Sequence, residues 1–201
     1  MVRHGESEYN EQGVWTGTTD VGLTTRGRAA ARQMGLVLRD IAFERIYTSC
    51  LKRASQTRDE FLTGYGETTA LLKKTAALNE RDYGDYTGLN KWEIRDRVGA
   101  ADFAELRRAF DAVIPNGESL RDVWERVVPW YCATVVPVLL SGGTILVIGH
   151  GNSNRALRKY IEQVDDEAVK QLEMDFDKIY IYRTGPDGIA SEPAEIRRIP
   201  S

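Results

Sequence analysis

TILVIGHGNSNRALRKYIEQV, residues 144–164, sets two periodicities end to end. Thr144 to Gly149 is a continuous apolar run of the kind found in strands buried on both faces of a parallel sheet. Asn152 to Val164 then returns at once to helical spacing. A strand that runs into a helix with only His150 and Gly151 between them is one βα step, and ligands of open α/β sheets collect where such strands end. The chain has two histidines in 201 residues, and the other, His4, also precedes a glycine, in VRHGESEYN (residues 2–10).

Working outward from that step, the pattern recurs. FERIYTSC (43–50) is a short β-branched and aromatic run, and LKRASQTRDEFLTGYG (51–66) follows it with helical spacing and stops at glycines. LTTRGRAAARQMGLVLRDI (23–41) reads as a helix opened by capping threonines. TALLKKTAALNE (69–80) reads as an extended segment running into the loop RDYGDYTGLN (81–90), with helices expected over 92–99 and 101–110. A long amphipathic helix is expected from Leu120 to Leu139, with Ser119 and Asp122 spaced as a capping box and Pro129 and Pro137 as kink sites. KIYIYRT (178–184) reads as the last strand. Strands alternating with helices predict an open, mostly parallel α/β sheet with helices on both faces, as one domain over residues 1–201. His4, the TSCLKR segment, Glu80 and His150 all follow predicted strands, so they can share one pocket.

Composition narrows the function classes. With 27 Lys and Arg against 30 Asp and Glu, the net charge of −3 supplies no broad basic field for nucleic acid, so any anion site must be local. No stretch reaches the roughly 18 to 20 unbroken apolar residues of a membrane span, and no apolar signal core opens the chain, which points to the cytoplasm. Cys50 and Cys132 lack CxxC spacing and are expected as free thiols; two histidines and two scattered cysteines predict no metal site.

Metal-free phosphoryl transfer needs an uncharged nucleophile, fixed cationic donors for the equatorial oxygens, and a proton shuttle. A neutral imidazole held in one tautomer supplies the nucleophile. Guanidinium forks supply the donors, and Arg3 and Arg53 are the obvious pair. The Gly151 and Asn152 N–H groups open a helix and are expected to meet an anion. Gly5 is expected to let backbone approach a phosphate.

The stretches RHGESEYN, WTGTTDVGLTTRG, YTSCLKRASQT, LNERDYGDYTGLNK, RRAFD, GESLRD and GHGNSNRAL, in this order, resemble the histidine phosphatase superfamily, and within it the cofactor-dependent phosphoglycerate mutases. LNERDYGDYTGLNK is the most specific of them. The resemblance implies a phosphoglycerate mutase-like fold and interconversion of 2- and 3-phosphoglycerate in glycolysis and gluconeogenesis. It implies a phosphohistidine primed by 2,3-bisphosphoglycerate, with no metal. By that likeness His4 is phosphorylated, Arg3, Arg53 and His150 bind the moving phosphoryl group, and Glu80 is the general acid and base. Asn10, Thr16, Gly17, Arg81, Tyr83, Lys91, Arg107, Arg108, Gly151 and Asn152 are implied substrate contacts. Phosphoglycerates are the implied partners of a monomer or small homo-oligomer.

Three features depart from the family pattern. Only two residues precede Arg3, which leaves either a shortened central strand or a start upstream of Met1. LEMDFDKIYIY (172–182) replaces a Thr-Gly-containing segment, and Thr18 stands where an aromatic is common. Two other functions compete: a phosphatase that passes the same phosphohistidine to water, and a phosphoprotein-binding module without catalysis, which the intact His4, Glu80 and His150 disfavour.

Overall fold

The computed structural model describes residues 1–200. Six strands form one sheet in the order β3-β2-β4-β1-β5-β6. They are β1 Val2–Arg3, β2 Arg45–Thr48, β3 Leu71–Lys74, β4 Ile145–Gly149, β5 Lys178–Ile181 and β6 Glu195–Arg198. The first four in chain order run parallel to one another where they pair, while β5 is antiparallel to β1 and β6 to β5. The helices are α1 Glu8–Glu11, α2 Thr25–Val37, α3 Lys52–Tyr65, α4 Lys91–Val98, α5 Ala100–Arg108, α6 Leu120–Trp130, α7 Val136–Leu140 and α8 Gly151–Ile161.

Alternation along the central strands builds two cores. Leu146 and Ile148 of β4 and Ile46 of β2 join Met34 and Phe61, from α2 and α3, on one face. Val147 and Tyr47 join Val123, Val127 and Leu157, from α6 and α8, on the other. Helices therefore cover both faces, as expected. A satellite cluster of Trp15, Ile94 and Phe103 sits under α4 and α5.

Local signals held where side chains speak directly to backbone. Thr24 caps α2 by accepting from the Gly27 N–H, and Ser119 and Asp122 cap α6 reciprocally. Pro129 and Pro137 bracket a π-helical turn, Tyr131–Val135, so the long helix is interrupted without a break in the chain's course. Both cysteines are free.

Two expectations require correction. Leu120–Leu140 is long and apolar enough by length and composition to cross a membrane. The prolines and the charges of Arg121, Asp122, Glu125 and Arg126 conceal this in a search for unbroken apolar runs. Its face of Val123, Val127, Tyr131 and Val135 is buried in the core. KIYIYRT is also not the last strand, because β6 follows it. Three of the four residues of β6 are exposed, so no hydrophobic alternation marks it. Backbone pairing to β5 and the Arg197 ion pair to Asp40 hold it instead.

Candidate active site

Parallel strands deliver the site residues to one sheet edge. His4 follows β1, Ser49 follows β2, Glu80 lies beyond β3, and His150 follows β4. β1 and β4 pair Arg3 with Gly149, and the His4 N–H donates to the Gly149 carbonyl at 2.9 Å. The two imidazoles consequently sit with ring centroids 4.8 Å apart.

His4 Nδ1 lies 2.6 Å from the Gly5 carbonyl oxygen. A carbonyl can only accept, so Nδ1 carries the proton and the neutral ring keeps its lone pair on Nε2. Burial, then Arg53 and Arg3, hold the His4 pKa well below the usual 6.5. His150 is fully buried, with Nε2 2.6 Å from Ser49 Oγ. Burial, followed by Arg53, His4 and Arg3, also pushes its pKa down. A Cβ on Gly5 would meet the Gly27 carbonyl oxygen at 2.5 Å. The close approach is to the start of α2.

Of the cations around the histidines, Arg53 is buried and Arg3 half-buried, and both donate to neutral acceptors. Arg53 donates through Nη1 to the Thr19 carbonyl and through Nη2 to the Gly17 carbonyl, both at 2.9 Å. Arg3 donates through Nη1 to the Met174 carbonyl at 3.1 Å, and its Cζ lies 3.9 Å from the Phe176 ring centroid. The Nε of each arginine is buried with no protein partner. Desolvation lowers both guanidinium pKa values, that of Arg53 to about 10.

Glu80 sits at the mouth of α8. Its Oε1 accepts from the backbone N–H of Arg81 at 2.8 Å and of Asn152 at 3.0 Å, and its Oε2 accepts from that of Gly151 at 3.1 Å. The α8 N–H groups expected to be free are thus already on a carboxylate, because an acidic side chain is the nearest partner for a helix N-terminus. A Cβ built on Gly151 would lie 3.4 Å from Glu80 Oε2 and 4.0 Å from Arg3 Cζ. These groups share one wall of a cavity that also takes in Tyr83, Lys91, Arg107 and Arg108.

On that distal side, Asn152 Nδ2 donates to Tyr83 Oη at 2.8 Å, and Tyr83 packs on Trp15. Burial, then Arg3 and Arg107, bring the Lys91 pKa down to about 8. Burial and then Arg108 also lower that of Arg107. Arg108 donates through Nη1 to the Leu172 carbonyl and through Nη2 to Glu173. Arg81 is fully buried beneath Tyr83 and reaches the Leu106 carbonyl, away from the cavity wall. Thr16 is buried, and Gly17 takes a φ of +51° in the turn that Arg53 grips. Asn10 Oδ1 accepts from Ser7 N and Ser7 Oγ, so that atom completes the capping box of α1.

Sequence reasoning missed Arg155, although GHGNSNR contains it. Arg155, 3 % exposed, donates to the carbonyls of Arg107, Arg108 and Val169 and to Asn152 Oδ1. It caps the end of α5 and so fixes where Arg107 and Arg108 leave the helix. The sequence singles out Ser49 and the segment Leu172–Phe176 only as parts of TSCLKR and LEMDFDKIYIY, with no contact assigned to either. Nothing in their local pattern differs from an ordinary strand end and loop. Among the described residues, no group of three His, Cys, Asp or Glu side chains is placed to hold a metal ion.

The sheet brings a neutral imidazole, guanidinium groups and a carboxylate to the carboxyl ends of its central strands, where open α/β sheets place their ligand sites. The chain belongs to the histidine phosphatase superfamily (branch 1), whose sequence profile matches residues 1–193. It is 38% identical over 198 residues to a 2,3-bisphosphoglycerate-dependent phosphoglycerate mutase of Rhodopseudomonas palustris, covering 98% of this chain and 96% of that one. A Bartonella tribocorum protein of the same name is 39% identical over 193 residues, covering 95% and 94%. Among solved structures, a mycobacterial glucosyl-3-phosphoglycerate phosphatase superposes with a TM-score of 0.71 at 26% identity, over 86% of this chain and 82% of that one. The comparisons support an enzyme of the phosphoglycerate mutase type.

Proposed function

We propose that the protein interconverts 2-phosphoglycerate and 3-phosphoglycerate through a phosphohistidine on His4, primed by 2,3-bisphosphoglycerate. The observation that carries this reading is the second group of cations. Lys91 and Arg107 line the same cavity as Arg3 and Glu80, so an acceptor's carboxylate has its own grip away from the reacting oxygen. Orientation of that kind converts a bimolecular step into a near-unimolecular one, and water needs none of it.

In this scheme His4 Nε2 attacks phosphorus, an N–P bond forms, and the P–O bond to the glycerate oxygen breaks. The departing oxygen takes from Glu80 the proton that an acceptor hydroxyl, or solvent before the first turnover, has left on it; Oε2, which accepts only one backbone N–H, is the oxygen placed to exchange it. The return step reverses these moves: the acceptor hydroxyl gives its proton to Glu80 and takes the phosphoryl group from His4. Arg3, Arg53 and His150 take up charge on the equatorial oxygens. No metal enters the scheme, and the phosphoglycerates are its only partners, in a cytoplasmic monomer or small homo-oligomer.

Hydrolysis of the same phosphohistidine is the second reading, favoured by one feature: Arg108 is already engaged by Glu173. Incubating the protein with 3-phosphoglycerate, with and without bisphosphoglycerate and with a chelator present, separates the two. Isomerised product that depends on the primer supports the mutase; inorganic phosphate as the main product replaces it with the phosphatase. Activity that a chelator abolishes and magnesium restores refutes the metal-free scheme.

A further inference from the structure

We propose that Glu173 is a specificity-determining residue: its carboxylate occupies Arg108 in place of a ligand anion and lowers the site's preference for phosphomonoesters with a second charged group. The proposal rests on the phosphomonoester reading of the cavity, and not on the choice between mutase and phosphatase.

Three observations carry it. Glu173 pairs with Arg108, and both line the cavity that holds Arg3 and Glu80. The pair is only partly shielded, with Glu173 56% and Arg108 23% exposed, so an entering anion can compete for the cation. The side chain is also not what holds the segment in place. The Leu172 carbonyl accepts from Arg108, the Glu173 carbonyl from Arg158 Nη1 at 2.7 Å and Tyr180 Oη at 3.0 Å, and the Met174 carbonyl from Arg3. Backbone acceptors fix the path of residues 172–174 across the site. The carboxylate is then left as a charge on Arg108, in the cavity that Lys91 and Arg107 also line, where a ligand's distal anion would go.

The consequence is graded. A neutral distal group meets no opposition from Glu173, a carboxylate must displace or share one ion pair, and a phosphate brings two charges toward the same carboxylate. Lys91 and Arg107 stay available to a singly charged group, which fits a glycerate carboxylate better than a second phosphate.

Binding of three ligands with unbreakable C–P bonds tests this on the intact site: propylphosphonate, 3-phosphonopropanoate and propane-1,3-diphosphonate, titrated calorimetrically into the parent, Glu173→Gln and Glu173→Ala. Relative to propylphosphonate, both variants should gain about fivefold in affinity for 3-phosphonopropanoate, which is ~1 kcal/mol and the upper range for a partly exposed ion pair. The gain for the diphosphonate should be larger. Adding Arg108→Ala to Glu173→Gln should remove most of it. Equal shifts for all three ligands, no shift, or weaker binding of the charged ligands in both variants would overturn the proposal. Isomerisation by the parent is assayed separately, so failure of the mutase reading leaves this comparison intact.

Discussion

Replacing Glu80 by Gln tests whether the carboxylate at the mouth of α8 is structural as well as chemical. The carboxylate accepts three backbone N–H bonds, two on Oε1 and one on Oε2. Gln keeps one oxygen, which can stay with Arg81 and Asn152. Its NH2 group then faces the Gly151 N–H, donor against donor. Losing one hydrogen bond to a charged acceptor costs about 1.5–3 kcal/mol, and removing a negative charge from a helix N-terminus costs about 0.3–1 kcal/mol more. The sum, about 2–4 kcal/mol, corresponds to a fall of roughly 4–16 °C in Tm for a domain of this size.

Thermal and urea unfolding of parent and Glu80→Gln at pH 7 measure this directly, alongside transfer of labelled phosphate to His4. The transfer rate should fall about 10²- to 10⁴-fold, the range for loss of a positioned acid or base. A variant that is inactive yet as stable as the parent, or more stable, refutes the capping argument and leaves Glu80 as a reactive group held at a cost to the fold. A destabilised variant with full transfer refutes its place in the proposed mechanism.

The buried imidazoles give a pH signature. Both are held below 6.5, chiefly by desolvation. The unfolded chain therefore binds protons that the folded one refuses, so stability is complete above about pH 6.5 and falls as pH drops toward the folded values, by about 1.4 kcal/mol per pH unit per histidine. Urea midpoints from pH 7 to 5 should show this slope, and His4→Asn should remove about one proton from it; an unchanged slope contradicts the assignment. Lys91, with its pKa near 8, should give kcat/KM for phosphoglycerate an alkaline limb near that pH. Lys91→Arg should move the limb upward, and a limb that stays at 8 assigns it to another group. Arg155→Lys exchanges a fork with four acceptors for a single ammonium. It should raise KM for phosphoglycerate at least tenfold with a smaller change in kcat, since the end of α5 loses its anchor. Equal losses in both constants place Arg155 in the chemical step instead.

Legibility in the sequence followed the distance over which each signal acts. The strand of TILVIGH and the helix after it could be read because burial on both faces and helical spacing are local patterns, and the capping of α2 and α6 lies within three residues of chain. His4 and His150 could be expected side by side because strand ends of an open sheet converge by topology, and their rings lie 4.8 Å apart; Glu80 lines the adjoining cavity with Arg3. β6 could not be read, since its stability comes from a partner strand and from Arg197 reaching Asp40, a residue 157 positions away. Arg155 was hidden for a similar reason: on a helix it looks like any solvated cation, and only the folded chain shows four acceptors around it. The commitment of the Gly151 and Asn152 N–H groups to Glu80, 71 and 72 positions apart, is likewise invisible locally.

One physical device accounts for the cation field and adds to burial in keeping the nucleophile neutral. A chain of net charge −3 has carboxylates enough to neutralise its buried arginines, yet Arg3, Arg53, Arg81 and Arg155 donate mainly to backbone carbonyls. A carbonyl satisfies the N–H donor, which is the expensive part of burying it, without cancelling the charge. Positive potential therefore survives inside the fold and is focused on one edge of the sheet. That potential attracts an oxyanion, and the same two guanidinium groups, Arg53 and Arg3, help keep His4 unprotonated. Replacing the carbonyl acceptors by carboxylates would satisfy the arginines equally well. It would also cancel the field and remove the part of the His4 shift that Arg53 and Arg3 add to burial, so the proposed chemistry depends on these arginines being hydrogen-bonded to neutral acceptors.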